Sequence, residues 1–331
     1  MMTRSLLEIV AMCGGVLHAA QGTADSVRAT TVTGVFTDSR KVAPGGLFVA
    51  IAGEHDDGHQ FVPAAARAGA VAALVHDLDG VRSALADAGL APGSLNLIAV
   101  SDTVEALGRL ARAHLADLRE RAAEQGRVLT VAAMTGSVGK TTTKDLTRQI
   151  LAAQAPTIAP AASFNNEIGL PLTVLRADET TRFLILEMGA SAPGHIAYLT
   201  SIAPLDAAAV LVVGHAHMDG FGSLDGVARA KAEIIEGLLP TGTAVVNLDD
   251  ERAAAMSEFA PGPVLTFSAT GDARADLRAD VVELDDGAHP VIDLHLPGLS
   301  APARVRPGAD RADPPRRGRG DPSSRHAPPG R

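Results

Sequence analysis

The residues best placed to do chemistry lie between Thr135 and Thr141, T-G-S-V-G-K-T, where an apolar stretch from Val128 runs into two glycines and a Lys-Thr pair. Gly136 and Gly139 let the backbone turn so that its N–H groups converge on an anion. Lys140 supplies a mobile positive charge, and the hydroxyl of Thr141 can reach a Mg²⁺ held between phosphates. Strand, glycine turn, Lys-Thr and helix in this order predict a nucleotide phosphate loop, with Thr135, Gly136, Ser137, Val138, Gly139, Lys140 and Thr141 as its binding residues. The commoner pattern opens with a glycine five positions before its second one. Here that position is Met134, so the loop is the narrower T-G-x-x-G-K-T variant.

Three further groups have the chemistry to serve such a loop. Glu187 follows the apolar run Phe183–Leu186 and is a hard oxygen ligand suited to Mg²⁺, or else a strand-end carboxylate facing water. His217, in Gly214-His215-Ala216-His217, is a candidate metal ligand or phosphate contact, with His215 the weaker of the pair. Lys231 is expected on a helix from Leu224 to Leu239, on the same face as Val227, Ala228, Ile234, Ile235 and Leu238, with Asp225, Arg229, Glu233 and Glu236 opposite. Burial there would disfavour the charged amine and make it available for carbamoylation by CO₂, which turns a cation into a carboxylate-like metal ligand. A lysine snorkelling from the helix edge is the simpler reading. The chain has only four lysines, Lys41, Lys140, Lys144 and Lys231, so an amine retained at 231 favours a need for it. Lys140, Glu187, His217 and Lys231 are thus the catalytic candidates, and Thr141, Glu187, His217 and Lys231 as its carbamate the metal ligands.

The elements that must position these groups follow an α/β pattern. Hydrophobic residues make up 46% of the 331, but aromatics only 3%, so the core is aliphatic, as the buried strands of a parallel sheet require. The first hundred residues alternate short strands (Val32–Phe36, Leu47–Ile51, Ala70–Val75, Leu97–Val100) with helices (Leu6–Met12, Val62–Ala68). Two polar loops, Thr37–Lys41 and Gly53–His59, face a ligand or simply connect strands. A long amphipathic helix, Thr103–Ala122, leads to a second region whose strands Phe183–Leu186, Ala207–Val213 and Thr243–Val246 each end at a polar group. In an open parallel sheet ligands sit at the carboxyl ends of the strands, so these groups should converge on the nucleotide.

The net charge of −9 argues against a nucleic-acid binder, and no apolar run approaches the ~20 residues of a membrane span. One cysteine, Cys13, excludes an intrachain disulfide and, with no recognisable secretory leader, implies a cytoplasmic protein. Charge is uneven: residues 301–331 hold eight Arg and three Asp, giving +5, so residues 1–300 carry −14. That segment also has seven prolines and no apolar periodicity, and is expected to be disordered.

With these residues in hand the chain resembles the Mur ligases. TDSRKVAPGGLFVAIAGEHDDGHQF is similar to their UDP-binding domain, and TGSVGKTTTK, SFNNEIGLPLTVL, EMGASAPGHI and HAHMDGFGSLDGVARAKAEI resemble the type that adds D-alanyl-D-alanine. The resemblance implies a small N-terminal α/β UDP-substrate-binding domain (1–102), an incomplete central P-loop ATP-binding domain with a mostly parallel sheet (103–300) and a disordered Arg/Pro-rich tail (301–331), the C-terminal ligase domain being absent through truncation or a frame shift. It further implies an ATP- and Mg²⁺-dependent ligase of peptidoglycan precursor synthesis, acting as a cytoplasmic monomer on UDP-N-acetylmuramoyl-tripeptide and D-Ala-D-Ala through an acyl phosphate. Ser39 and Arg40 would lie near the uridine diphosphate, Asn166 beside the nucleotide and Asn247 near the adenine. The sister ligase adding the third amino acid, and a nucleotide-binding fragment without activity, are the alternatives.

Overall fold

The structure, a computed structural model, describes residues 3–53, 56–91, 93–214, 221–284 and 290–305. The chain divides into two compact units, the first running from Met1 to Phe267 and the second starting at Ser268. Among the described residues no helix is long and apolar enough to cross a membrane.

Besides the short antiparallel pair Arg4–Ser5 with Thr31–Val32, the described residues of the first unit form two larger sheets. One has the order Val16–His18, Asn96–Ala99, Ala72–Val75, Gly46–Val49 and Gly34–Phe36, parallel throughout except for the antiparallel first pair. Two of its three inner strands, Gly46–Val49 and Ala72–Val75, are buried at every position, which is why they read as the uninterrupted runs G-L-F-V and A-A-L-V rather than as alternating patterns. The Leu6–Cys13 helix is set by a reciprocal cap, the Ser5 side chain accepting from the Glu8 N–H while Glu8 accepts from the Ser5 N–H. It is stopped by Gly14 in the left-handed region.

The Thr103–Glu124 helix begins where the Asp102 carboxylate accepts hydrogen bonds from the Val104 and Glu105 amides. Its apolar stripe, Leu107, Leu110, Ala111, Leu115 and Leu118, is buried in the same core as Leu6 and Ile9, Leu170 and Val174, and Ile196 and Ile202, so one helix joins the cores of both sheets. Emptying any one of the large positions costs about 2–5 kcal/mol. Arg4 and His114 clamp the arrangement. The Arg4 guanidinium donates to His114 Nδ1 at 3.1 Å and to Asp117 at 2.6 Å, and His114 Nε2 donates to the Ala177 carbonyl at 3.0 Å.

The second sheet is parallel, in the order Val264–Ser268, Leu238–Asn247, Leu205–Val210, Thr130–Thr135, Phe183–Glu187 and Thr157–Ile158. Later strands add on one side of Thr130–Thr135 and earlier ones on the other, so the strand order reverses there. The carboxyl end of that strand is the crevice such sheets use for ligands. The helix expected to reach Leu239 ends at Glu236, because Gly237 breaks it and Leu238 already begins a ten-residue strand.

In the second unit Leu277–Leu284, Pro290–His295 and Ala303–Val305 form an antiparallel set, with Arg304 forked onto Asp293 at 2.7 and 2.9 Å. Strand pairing therefore runs to Val305, past the boundary at 300 where the disordered tail was expected. Residues from 306 onward lie outside the described ones.

Candidate active site

The strand Thr130–Thr135 delivers the phosphate loop from a buried base, Val131, Ala133 and Met134 all being in the core. Met134, where the commoner motif has glycine, thus serves the core, which explains the shorter loop. A Cβ on Gly136 would lie 3.0 Å from Leu211 Cβ and 3.1 Å from the Val138 carbonyl, so only glycine fits without displacement. Gly139, at φ +85°, sits in the left-handed region and starts the Lys140–Ala152 helix with no side-chain cap, leaving its first amides free for an anion. Lys140 Nζ donates to the Gly136 carbonyl at 2.7 Å, folded across the loop it would share with a phosphate. Ser137 Oγ exchanges hydrogen bonds with Gly214 at 3.0 and 2.8 Å, fastening the loop to the segment after Leu205–Val210. The Thr135 hydroxyl is fully buried and, among the described residues, has no hydrogen-bond partner at the base of the loop.

Glu187 closes the neighbouring strand and is 1% exposed, so it is not a carboxylate turned to water. It accepts from Thr141 Oγ1 at 2.9 Å and from Asn165 Nδ2 at 2.8 Å, and Ser163 Oγ lies 3.0 Å from the same threonine hydroxyl. Two residues predicted to hold one metal are therefore in contact, while Ser163 and Asn165 were missed. The polar run S-F-N-N was their only signal.

Lys231 is 7% exposed and, among the described residues, has no hydrogen-bond or ion-pair partner. Burial pulls its amine from 10.5 down to about 8, and the positive charge of Lys140 adds to the shift. That excludes a snorkelling edge lysine. Rarity of lysine alone would not have decided the matter, since Lys144 is fully buried in a packing role, donating to the Pro160 carbonyl at 2.8 Å. The helix pattern was misread at Glu233. It is buried rather than opposite the apolar face, because its two oxygens accept from the Gly194 and Ala197 amides at 2.7 and 3.0 Å and cap the start of the His195–Ile202 helix.

A cavity of about 540 Å³ joins these parts, lined among others by Gly136, Ser137, Lys140, Asn166 and Lys231. Asn166 reaches it while its Oδ1 accepts from the Gly169 amide at 2.9 Å. Asn247 does not line it. Its side chain bridges the Leu211 carbonyl at 2.8 Å and the Asp249 amide at 2.9 Å, tying adjacent strand ends together beside the loop. His215 and His217 lie outside the described residues.

A second cavity of about 300 Å³ opens at the end of Gly34–Phe36, with Thr37, Asp38, Lys41, Phe164, Leu172 and Arg176 among its walls. Of the Thr37–Lys41 loop it is these flanking residues that line it, and Ser39 and Arg40 are not among them. Arg40 is forked onto Asp38 at 2.9 Å twice, and those bonds hold the Asp38 carboxyl at about 2.

Residues 134–299 match the family model described as the Mur ligase middle domain, and residues 31–115 match that of the Mur ligase family, catalytic domain. A UDP-N-acetylmuramoyl-tripeptide--D-alanyl-D-alanine ligase of Mycobacterium leprae (strain TN) is 40% identical over 280 residues, 80% of this chain and 53% of the relative. The ligase of the same name from Bacillus subtilis (strain 168) is 40% identical over 251 residues, 76% of this chain and 50% of its own. Among solved structures, MurF from Acinetobacter baumannii superposes with a TM-score of 0.75 at 29% identity, covering 92% of this chain and 60% of that one. MurF ligase from Thermotoga maritima in complex with ADP gives 0.66 at 28% identity, covering 83% and 58%. The chain spans about half the length of the curated relatives it matches.

Proposed function

Because the chain belongs to the Mur ligase family, we propose that it carries the nucleotide and UDP-substrate sites of a ligase that joins D-alanyl-D-alanine to UDP-N-acetylmuramoyl-tripeptide, a step of peptidoglycan precursor synthesis in the cytoplasm. The observation that carries this reading is that Lys140 and Lys231 line one cavity at the strand-order reversal of a parallel sheet, with Asn165 of its wall bonded to Glu187 and Glu187 to Thr141. The names of the 40%-identical relatives support the choice of substrates over those of the sister ligase.

In this reading the tripeptide carboxylate attacks the γ-phosphorus of ATP and ADP leaves. The amine of the dipeptide then attacks the acyl carbon and phosphate leaves. The uncapped amides of the loop and Lys140 bind and orient the phosphates. Asn166 lies beside the nucleotide, and Asn247 supports the adenine side by fixing two strand ends. The hydroxyl of Thr141 and the carboxylate of Glu187 are hard oxygen donors in contact at 2.9 Å, the set that Mg²⁺ takes together with phosphates and water. They would hold that ion, with His217 and a Lys231 carbamate serving a second. Bound there, the cation offsets the repulsion between a carboxylate and a triphosphate. Lys231, buried and uncharged above about pH 8, can take CO₂ on nitrogen with loss of one proton. Thr37, Asp38 and Lys41, with Ser39 and Arg40 in the same turn, would meet the uridine diphosphate at the second cavity.

The test is phosphate release from ATP by the purified chain with UDP-N-acetylmuramoyl-tripeptide, with and without D-Ala-D-Ala. Release that needs both substrates supports ligase activity in this chain. ATP and UDP-substrate binding without release would make it a binding fragment of such a ligase, and failure to bind either overturns the reading.

A further inference from the structure

The Lys140–Ala152 helix inverts the usual amphipathic pattern. Lys144 is its one buried residue, with no exposed surface, while Leu146 and Ile150 are 55% and 64% exposed. Removing an amine from water is costly unless it is hydrogen-bonded, so burial this complete calls for a partner. Lys144 Nζ donates to the Pro160 carbonyl at 2.8 Å and lies 3.1 Å from the Asp145 carboxylate. A leucine or methionine would fill the same space and leave the Pro160 carbonyl without this donor.

Pro160 opens a segment outside helix and strand that ends at Asn166, exposed from Ala161 to Phe164. This segment supplies much of the polar wall of the site. Ser163 Oγ lies 3.0 Å from Thr141 Oγ1, Asn165 Nδ2 donates to Glu187 at 2.8 Å, and both Asn165 and Asn166 line the larger cavity. The helix bonds to the segment at Thr141 with Ser163 and again at Lys144 with Pro160. Positions i and i+3 share a helix face, so the contacts advance three residues on the helix as they step back three along the segment. The far end is seated by close packing. A Cβ on Gly169 would lie 2.6 Å from the Phe164 Cβ, a Cβ on Gly189 would lie 3.1 Å from the Asn165 side chain, and the Gly189 amide donates to the Asn165 carbonyl at 2.9 Å. The near end is held by Lys144 and, at a longer 3.3 Å, by Arg176 donating to the Ala159 carbonyl.

We propose that Lys144 is a positioning residue for the Thr141–Glu187 pair: by fixing the Pro160 carbonyl it sets where Ser163 and Asn165 stand, and through them the geometry in which the pair meets Mg²⁺. The inference rests on the reading of the function above. Lys144 lines neither cavity, so it acts on a ligand only through the segment. Without its amine the near end of the segment shifts, and Asn165 no longer holds one oxygen of Glu187 in place. The part of nucleotide affinity that depends on the cation is then lost, while the part supplied by the loop amides and Lys140 stays.

The test is titration of the full chain with a fluorescent ATP analogue, at saturating Mg²⁺ and in excess chelator, in the wild type and two variants. Lys144→Met removes the donor and keeps an unbranched side chain in the core. The second variant keeps Lys144 and inserts two glycines between Ala161 and Ala162, where both flanking residues are exposed and added length is tolerated, so that Pro160 no longer dictates the position of Ser163 and Asn165. The expected result in each is a fall of about tenfold in the tightening produced by Mg²⁺, as for loss of a group that orients a metal ligand, with affinity in chelator within about twofold of wild type. Adding Lys144→Met to the insertion should lower the tightening by less than about twofold more, because both changes cut the same connection. Equal losses with and without Mg²⁺ in Lys144→Met make Lys144 a packing residue and overturn the proposal while leaving the ligase reading intact. An insertion variant with wild-type Mg²⁺ dependence overturns it as well, even if Lys144→Met fails to fold. Absence of Mg²⁺-dependent ATP binding in the wild type overturns both.

Discussion

Thr141 and Glu187 are 46 residues apart in the chain and in contact in the fold, the threonine hydroxyl donating to a carboxylate oxygen at 2.9 Å. The contact exists because parallel strands place their carboxyl ends side by side: Glu187 is in register with Met134, immediately before the Thr135–Thr141 loop. Asn165 holds the other oxygen of the carboxylate at 2.8 Å, so the group is fixed before any ligand arrives.

Replacing Glu187 with Gln should therefore abolish the Mg²⁺-dependent part of ATP binding, a loss of roughly 10–100-fold at saturating Mg²⁺, while leaving binding in excess chelator within about twofold. Titration with a fluorescent ATP analogue, with and without Mg²⁺, reads both numbers. Equal losses in the two conditions would mean that Glu187 acts on the loop and not through a cation.

Gly136→Ala tests the closeness of the loop to its surroundings. The added methyl meets backbone at 3.1 Å and Leu211 at 3.0 Å, so the loop must shift and its amides lose their common focus. Nucleotide affinity should fall more than about tenfold, with a stability change near 1–2 kcal/mol. A variant that binds ADP normally would show that the loop has room to adapt.

For Lys231 the pH dependence has a definite sign. Its folded value of about 8 lies below the ordinary 10.5, so between those values the unfolded chain binds the proton and the folded chain does not. Stability should rise with pH across that window, by up to ~3 kcal/mol, and stay at its lower level below pH 8. Lys231→Met should remove this slope. Chemical denaturation at pH 8 and pH 10 in both proteins measures it. In the presence of bicarbonate, intact-mass or ¹³C NMR measurement should find one bound CO₂ in wild type and none in the methionine variant.

His114 behaves likewise at the acid end. Burial lowers it from 6.5 to about 4, its Nδ1 being used as an acceptor by Arg4, so protonation would also break that hydrogen bond. Between about pH 6.5 and 4 the unfolded state takes up a proton that the folded state refuses, and stability should fall by up to ~3 kcal/mol as pH drops through this range. His114→Gln should flatten that dependence and lower stability at pH 7 by about 1–3 kcal/mol, by disturbing the partner of the buried Arg4. Unchanged curves would place the clamp outside the folding equilibrium.

The sequence by itself determined the strand, glycine turn and helix around Gly136 to Lys140, the α/β class, the long Thr103 helix and the strand ends bearing Glu187 and Asn247, because each rests on local spacing: glycines where the backbone turns tightly, aliphatic runs where a strand is covered on both faces. Tertiary structure decided what those ends do. Only the parallel register puts Glu187 against Thr141 and turns Asn247 into a brace between strands. Glu233 read as a surface residue by helical periodicity, and became a buried cap because another helix happens to start beside it. Asp102, Glu105, Glu167 and Tyr198 carry no shared motif and lie up to 96 positions apart in the chain. Their meeting in one cavity depends on how three elements pack, a property that no spacing within any one of them encodes.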